Sequence, residues 1–202
     1  MVLLGHNGAG KTTLINLLLG FYTDTTQHPF LGDFELFLKK RAINLGRYAY
    51  APETALMEYE LNALDYFRLT ASIHGTKDYD PGTLMTRVSL EVDPKKPIKH
   101  YSKGMRQRLM LALALMSDPE TIILDEPTSG LDPYAKAAIE ELILELARDH
   151  RLVLSTHSLD LAARLGDEVC ILRHGKIVFE GRVEERQILD TLMLRYRPEK
   201  IL

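Results

Sequence analysis

Apolar positions along this chain cluster in short runs separated by glycine, proline and charged residues. Such runs occur at 1–4, 47–51, 121–124, 152–155 and 169–173, and a further one at 177–180 follows the turn His174-Gly175-Lys176. Runs of this length, bounded by turn residues, read as buried strands. Helical spacing of apolar residues fills several of the intervals, starting with 12–19. Alternation of this kind predicts an α/β fold with a largely parallel sheet flanked by helices. Residues 59–117 break the rhythm. They carry helical patterns at 63–73 and 104–116 and turn signals at 75–82 and 93–97, without a strong strand pattern. The predicted organisation is therefore a core of residues 1–58 and 118–202 interrupted by a helical subdomain at 59–117.

Between the first strand and the first helix lies Gly5-His6-Asn7-Gly8-Ala9-Gly10-Lys11-Thr12, a G-x-x-x-x-G-K-[ST] loop. Glycines permit the tight turn because they lack Cβ. Successive backbone N–H groups then converge at a helix N-terminus, where the macrodipole favours an anion. In such a loop Lys11 reaches the β- and γ-phosphates of a nucleoside triphosphate, and the Thr12 hydroxyl ligates Mg²⁺. The bland alternative is a glycine-rich turn before an ordinary helix.

A second candidate is the pair Asp125-Glu126, at the end of the apolar run 121–124. Ligands of open α/β sheets sit beyond the carboxyl ends of strands. Asp125 is thus placed to hold Mg²⁺, directly or through water, and Glu126 to accept a proton from an attacking water. His157 ends the run that begins at Leu152 and is a candidate partner of a γ-phosphate oxygen or of that water; a capping or core-edge role is its alternative. Ser102 precedes a helical pattern and reads as an N-cap. Asp132-Pro133 reads as an N-cap followed by proline at the first helical position. Arg106 and Arg108 read as part of a solvated helix face, and the six histidines other than His157 as surface or packing residues.

Composition narrows the picture modestly. The 202 residues are 46% hydrophobic and 26% charged with a net charge of −3, so no nucleic-acid footprint is visible and no nucleic-acid partner is expected. The single cysteine, Cys170, lies in an apolar run and reads as a small core residue. The longest apolar run, at 109–116, is too short to span a bilayer, and no leader is expected before the phosphate loop.

In order, the chain presents a phosphate loop, a helical insert, a Ser-x-Gly turn, an apolar run ending in Asp-Glu, Ser129-Gly130-Leu131-Asp132, and then His157. In this order and spacing it resembles the nucleotide-binding domain of ATP-binding-cassette (ABC) transporters, from residue 1 to about 181. The resemblance implies a P-loop NTPase-type core that binds ATP and Mg²⁺. Asn7, Gly8, Ala9, Gly10, Lys11, Thr12 and Thr13 would contact the phosphates and metal, Asp125 would be the metal-associated acid, and Glu126 the catalytic base. His157 would be the switch histidine and Asp132 the residue coupling two sites of a dimer. Ser102 and Gly104 would be signature residues that contact the γ-phosphate held by the opposite subunit. The implied partners are a second ATPase subunit and an integral membrane permease, with the chain on the cytoplasmic face of the membrane. A soluble ABC ATPase acting on ribosomes or DNA, and a non-hydrolysing ATP-binding regulatory module, are the alternatives.

Three departures from that pattern stand out. The signature is Tyr101-Ser102-Lys103-Gly104-Met105 instead of Leu-Ser-Gly-Gly-Gln, a form similar to exporters of drugs, lipids or polysaccharides. The hinge before the insert carries Glu53 where the family usually has Gln; a carboxylate can ligate Mg²⁺ or bind water but cannot donate. The N-terminal strands that usually precede the phosphate loop, with the aromatic residue that stacks on adenine, are expected to be missing, either by truncation or because the protein lacks that platform. With them gone an unpaired sheet edge is expected. Tyr22, just after the first helix, is expected to be a packing residue and not a substitute for the missing aromatic.

Overall fold

The computed structural model describes residues 1–22, 38, 46–54, 57–165, 168–182, 189–190 and 194. The parts of the expected core at 23–37, 39–45 and 195–202 lie outside the described residues. The chain divides into two compact units, Met1–Leu45 with Leu152–Leu202, and Gly46–Arg151.

In the first unit β1 (Val2–Leu4) pairs in parallel with β4 (Arg151–Thr156) on one side and β5 (Glu168–Arg173) on the other. A hairpin adds β6 (Lys176–Arg182) antiparallel to β5, which gives the local order β4-β1-β5-β6. All three residues of β1 are buried, as a strand with neighbours on both sides and packing on its faces must be. The phosphate-loop strand is therefore interior and not a sheet edge. Helix α1 (Lys11–Leu18) follows the loop. Helix α6 (Leu159–Leu165) packs on β1, where Val2, Leu4, Ala162, Val169, Ile171 and Leu189 form one apolar cluster. Cys170 is buried on β5, as its apolar setting predicts.

In the second unit β2 (Tyr48–Ala51) pairs in parallel with β3 (Thr121–Asp125). Between them run α2 (Ala63–His74), α3 (Pro81–Arg87), a 3₁₀ turn (Ile98–His100) and α4 (Lys103–Leu115); α5 (Pro133–Asp149) comes after β3. Each start of these helices is chemically marked. Asn62 caps α2 in a reciprocal pair with Asp65, Asp80 caps α3, Ser102 caps α4 and Asp132 caps α5. Such caps satisfy backbone donors that would otherwise have no partner at a helix start.

Helix α3 was not legible as a helix. Asp80-Pro81-Gly82 reads as a turn, yet the structure uses Asp80 as N-cap and Pro81 in the first turn, the device that also starts α5. Phe67 of α2 is fully buried and stacks on Tyr79, with 6.3 Å between ring centroids. It shares the interior of the helical region with Ile98, Leu109 and Leu111, which are also fully buried. Phe67→Ala is expected to lower stability by roughly 3–5 kcal/mol through lost burial and a residual cavity, read as a shift in the urea midpoint.

Candidate functional site

In the first unit, β1 ends at Leu4 and the chain turns through 5–10 into α1. Gly8 and Gly10 adopt left-handed backbone conformations, with φ of 78° and 104°. A residue with Cβ is strained there. Ala9 is buried at 2% exposure, whereas Asn7 and Gly8 are exposed. Gly10 is the residue before α1; it offers no side-chain cap, and the first turn holds no carboxylate. A helix start left without either is suited to an external anion. Lys11 is buried, and its Nζ donates to the Gly5 carbonyl at 2.7 Å and the His6 carbonyl at 3.1 Å. The ammonium is thereby drawn across the loop it belongs to. Thr12 is exposed and Thr13 half-buried.

Parallel register brings His157 to this loop. Leu4 pairs with Thr156, and the Gly5 N–H donates to the Thr156 carbonyl at 3.3 Å. Gly5 and His157 therefore leave adjacent strands side by side, and His157 is exposed. Ser158, the next residue, accepts from the Leu161 N–H at 3.3 Å and starts α6. Tyr22 does not behave as a packing residue: it is 40% exposed and Phe21 is 64% exposed, so the end of α1 presents two aromatics outward.

In the second unit, Asp125 closes β3 and is 1% exposed, and Glu126 follows at 5% exposure. Glu126 stands at φ 44°, a conformation that non-glycine residues adopt at a cost of order 1–3 kcal/mol and that gathers at functional positions. Ala51 pairs with Leu124. Glu53, two residues past the end of β2, thus leaves its strand beside the point where Asp125 and Glu126 leave β3, and it is exposed. Tyr50 pairs with Ile123, so Tyr50 and Asp125 lie on one face of the strand pair. Burial first, and the Asp125 charge second, push the Tyr50 hydroxyl up to about 12.

The predicted signature residues sit at the start of α4. Ser102 Oγ accepts from the Met105 N–H at 3.2 Å, which leaves its hydroxyl proton available to donate. Gly104 is buried where a Cβ would lie 3.3 Å from Ala135 Cβ of α5. Asp132 Oδ1 accepts from the Tyr134 and Ala135 N–H groups, both at 3.0 Å. The starts of α4 and α5 are thus side by side, and Ser102, Gly104 and Asp132 fall in one region. Lys103 reaches over Gly130, where a Cβ would lie 2.6 Å from its Nζ.

Arg106 and Arg108 are not a solvated face. Arg106 donates to the Tyr101 carbonyl and lies 5.8 Å from the centre of the Tyr59 ring. Arg108 donates to the Val88 and Ser89 carbonyls, at 2.7 and 3.2 Å. Both guanidiniums tie α4 to neighbouring turns that have carbonyls to satisfy. His6 and His174, expected to be surface or packing residues, meet edge to face beside the phosphate loop. The turn His174-Gly175 is visible in sequence as a hairpin turn, but no local signal says which loop it abuts.

A family profile described as ABC transporter matches residues 1–129, which takes in the phosphate loop, the Ser102–Gly104 turn and the Asp125-Glu126 pair. The chain belongs to the ABC transporter family. Over 184 residues it is 30% identical to the retinal-specific phospholipid-transporting ATPase ABCA4 of Homo sapiens, covering 88% of this chain and 8% of that protein. It is 36% identical over 186 residues to the Nod factor export ATP-binding protein I of Sinorhizobium fredii, covering 89% of this chain and 54% of that one. The chain therefore spans from less than a tenth to about half the length of these relatives. A solved ATP-binding subunit of an ABC transporter superposes with a TM-score of 0.69 at 30% identity, over 97% of this chain and 82% of that one. Family and fold together make this an ABC-type ATPase domain. Among the described residues no helix is long and apolar enough to cross a membrane.

Tyr50 supplies a measurable signature of the Asp125 environment. Its pKa is raised above the ordinary 10.0, so the folded chain holds that proton more tightly than the unfolded one. The associated stability is present below about pH 10 and is lost as pH rises through about 12. In an ultraviolet titration of tyrosinate, Tyr50 is expected to ionise late, as is Tyr101, whose hydroxyl burial also raises, and Tyr50→Phe should reduce the amplitude of the late ionisation.

Proposed function

We propose that this chain binds ATP with Mg²⁺ and hydrolyses it as the motor segment of an ABC transporter of the exporter type. The observation that carries the reading is the phosphate loop itself. Lys11 is drawn over the Gly5 and His6 carbonyls at a helix start that has neither a side-chain cap nor an acid. Those are the fixed positive groups a polyphosphate requires, already in place. Gly8, Ala9, Gly10, Lys11, Thr12 and Thr13 would line the phosphates, with Asn7 at the mouth of the loop.

The oxygen donors Thr12, Asp125 and Glu53 suit a hard divalent cation, and Mg²⁺ bound to them would neutralise charge on the transferred phosphoryl group. Glu126 would take the proton of the attacking water, and His157 would orient it or bond a γ-phosphate oxygen. Ser102 keeps a free donor at the start of α4, and Gly104 lets that turn lie against α5. With Asp132 they form the surface that would complete the nucleotide site of a second ATPase subunit. Two ATP molecules between two such surfaces would close a dimer, and hydrolysis would reopen it. The work would be delivered to an integral membrane permease on the cytoplasmic face of the membrane. The likeness to the Nod factor export ATP-binding protein supports export as the direction.

Glu126→Gln is expected to keep ATP affinity while lowering turnover by about 10²–10⁴-fold, the usual contribution of a general base. Phosphate release gives the rate and size-exclusion chromatography with ATP reports the trapped dimer; unchanged turnover would remove Glu126 from the base role. Lys11→Ala is expected to weaken ATP binding by at least about tenfold, ~1.4 kcal/mol. Calorimetry showing equal affinity in the variant would count against the loop as the phosphate site.

A further inference from the structure

Three contacts join the phosphate loop to the turn between β5 and β6. The Gly175 N–H donates to the Ala9 carbonyl at 3.0 Å. The rings of His6 and His174 meet edge to face, with centroids 6.2 Å apart and planes at 74°. Gly5 lies so near the base of the same hairpin that a Cβ on it would be 2.6 Å from the Leu172 carbonyl oxygen. The hairpin pairs Arg173 with Lys176, and both residues between them are left-handed, His174 at φ 47° and Gly175 at φ 74°. That is the two-residue turn whose twist matches the flanking strands, and it makes the hairpin a firm support.

The first contact acts through peptide geometry. The Ala9 carbonyl and the Gly10 N–H belong to one planar trans peptide, so they point in opposite directions. A carbonyl held on Gly175 therefore turns the Gly10 N–H away from the hairpin. A peptide ending in glycine is otherwise prone to rotate as a unit, because glycine accepts either sign of φ. Rotation here would present a carbonyl oxygen where a phosphate needs a donor, at the residue immediately before α1.

We propose that Gly175 is a positioning residue for phosphate binding: its N–H holds the Ala9–Gly10 peptide so that the Gly10 N–H faces the nucleotide phosphates. The His174 ring against His6 and the close approach at Gly5 keep hairpin and loop together while it does so. The inference rests on the nucleotide-binding reading above. It adds to it an element, the β5–β6 turn, that lies more than 160 residues along the chain from the loop it supports.

The test is an ADP titration of the full chain and of Gly175→Val and Gly175→Asn, followed by calorimetry and by amide NMR. Both variants keep the backbone N–H, but a β-branched residue is strained at this φ and shifts the N–H out of place, whereas asparagine tolerates the conformation. Gly175→Val is expected to raise the ADP dissociation constant about tenfold, the effect of one hydrogen bond to a charged group. Gly175→Asn is expected to stay near wild type. In the wild type the Gly175 amide should be slow to exchange, and the Gly10 amide should shift on ADP addition. A folded Gly175→Val protein with wild-type affinity overturns the proposal, and so does a freely exchanging Gly175 amide in the wild type, which needs no variant to fold. A wild-type chain that binds no ADP overturns the nucleotide reading and the proposal with it.

Discussion

Burial of Val2–Leu4 between two parallel strands is the constraint on which the first unit depends. With β4 on one side and β5 on the other, β1 is held by parallel pairing along both edges, with Leu4 opposite Thr156 and Ile171. Its end is therefore fixed, and the chain must turn at Gly5 to reach α1. The Gly5 N–H is taken by the Thr156 carbonyl, and the close approach to the Leu172 carbonyl leaves no room for a side chain. The phosphate loop is the shape left to a short chain segment pinned on both flanks.

The second unit uses helix starts in the same way. Polar caps at Asn62, Asp80, Ser102 and Asp132 fix where each helix begins. Two of these, Ser102 and Asp132, are also the residues proposed for the shared nucleotide site. The two duties are compatible. A cap holds the hydroxyl or carboxylate at a known place, and a serine that accepts from the backbone still has a proton to give. Gly104 serves the arrangement by absence, since its missing side chain lets α4 approach Ala135. Glu126 shows the opposite economy. Its left-handed backbone is a local cost, kept at the position where the carboxylate is assigned its chemical role.

Much of the site was legible because its chemistry is local. The phosphate loop, the strand ending in Asp125-Glu126, and the caps at Ser102 and Asp132 each depend on residues within a few positions of one another. Helix α3 was missed because Asp-Pro-Gly serves a turn and a helix start equally well, and only the packing of Met85 into the interior chooses the helix. Arg106 and Arg108 read as solvated because they are charged residues at helical spacing. Their partners, the carbonyls of Tyr101, Val88 and Ser89, become acceptors only once the turns are folded. Tyr22 reads as buried from its aromatic character, yet the end of α1 points it outward.

The sequence alone determined the alternation of strand and helix, the helices between β2 and β3, the glycine turn at 5–10 and the strand that ends in Asp125. These follow from periodicity, from backbone freedom at glycine and from the fixed reach of side chains near in sequence. Tertiary structure decided which distant strands flank β1, that His157 leaves the sheet beside Gly5, that Tyr50 shares a face with Asp125, and that the turn at Gly175 holds the Ala9 carbonyl. Each of these joins residues far apart in sequence. The free energy of such pairings comes from the whole packed unit and is written in no single local run.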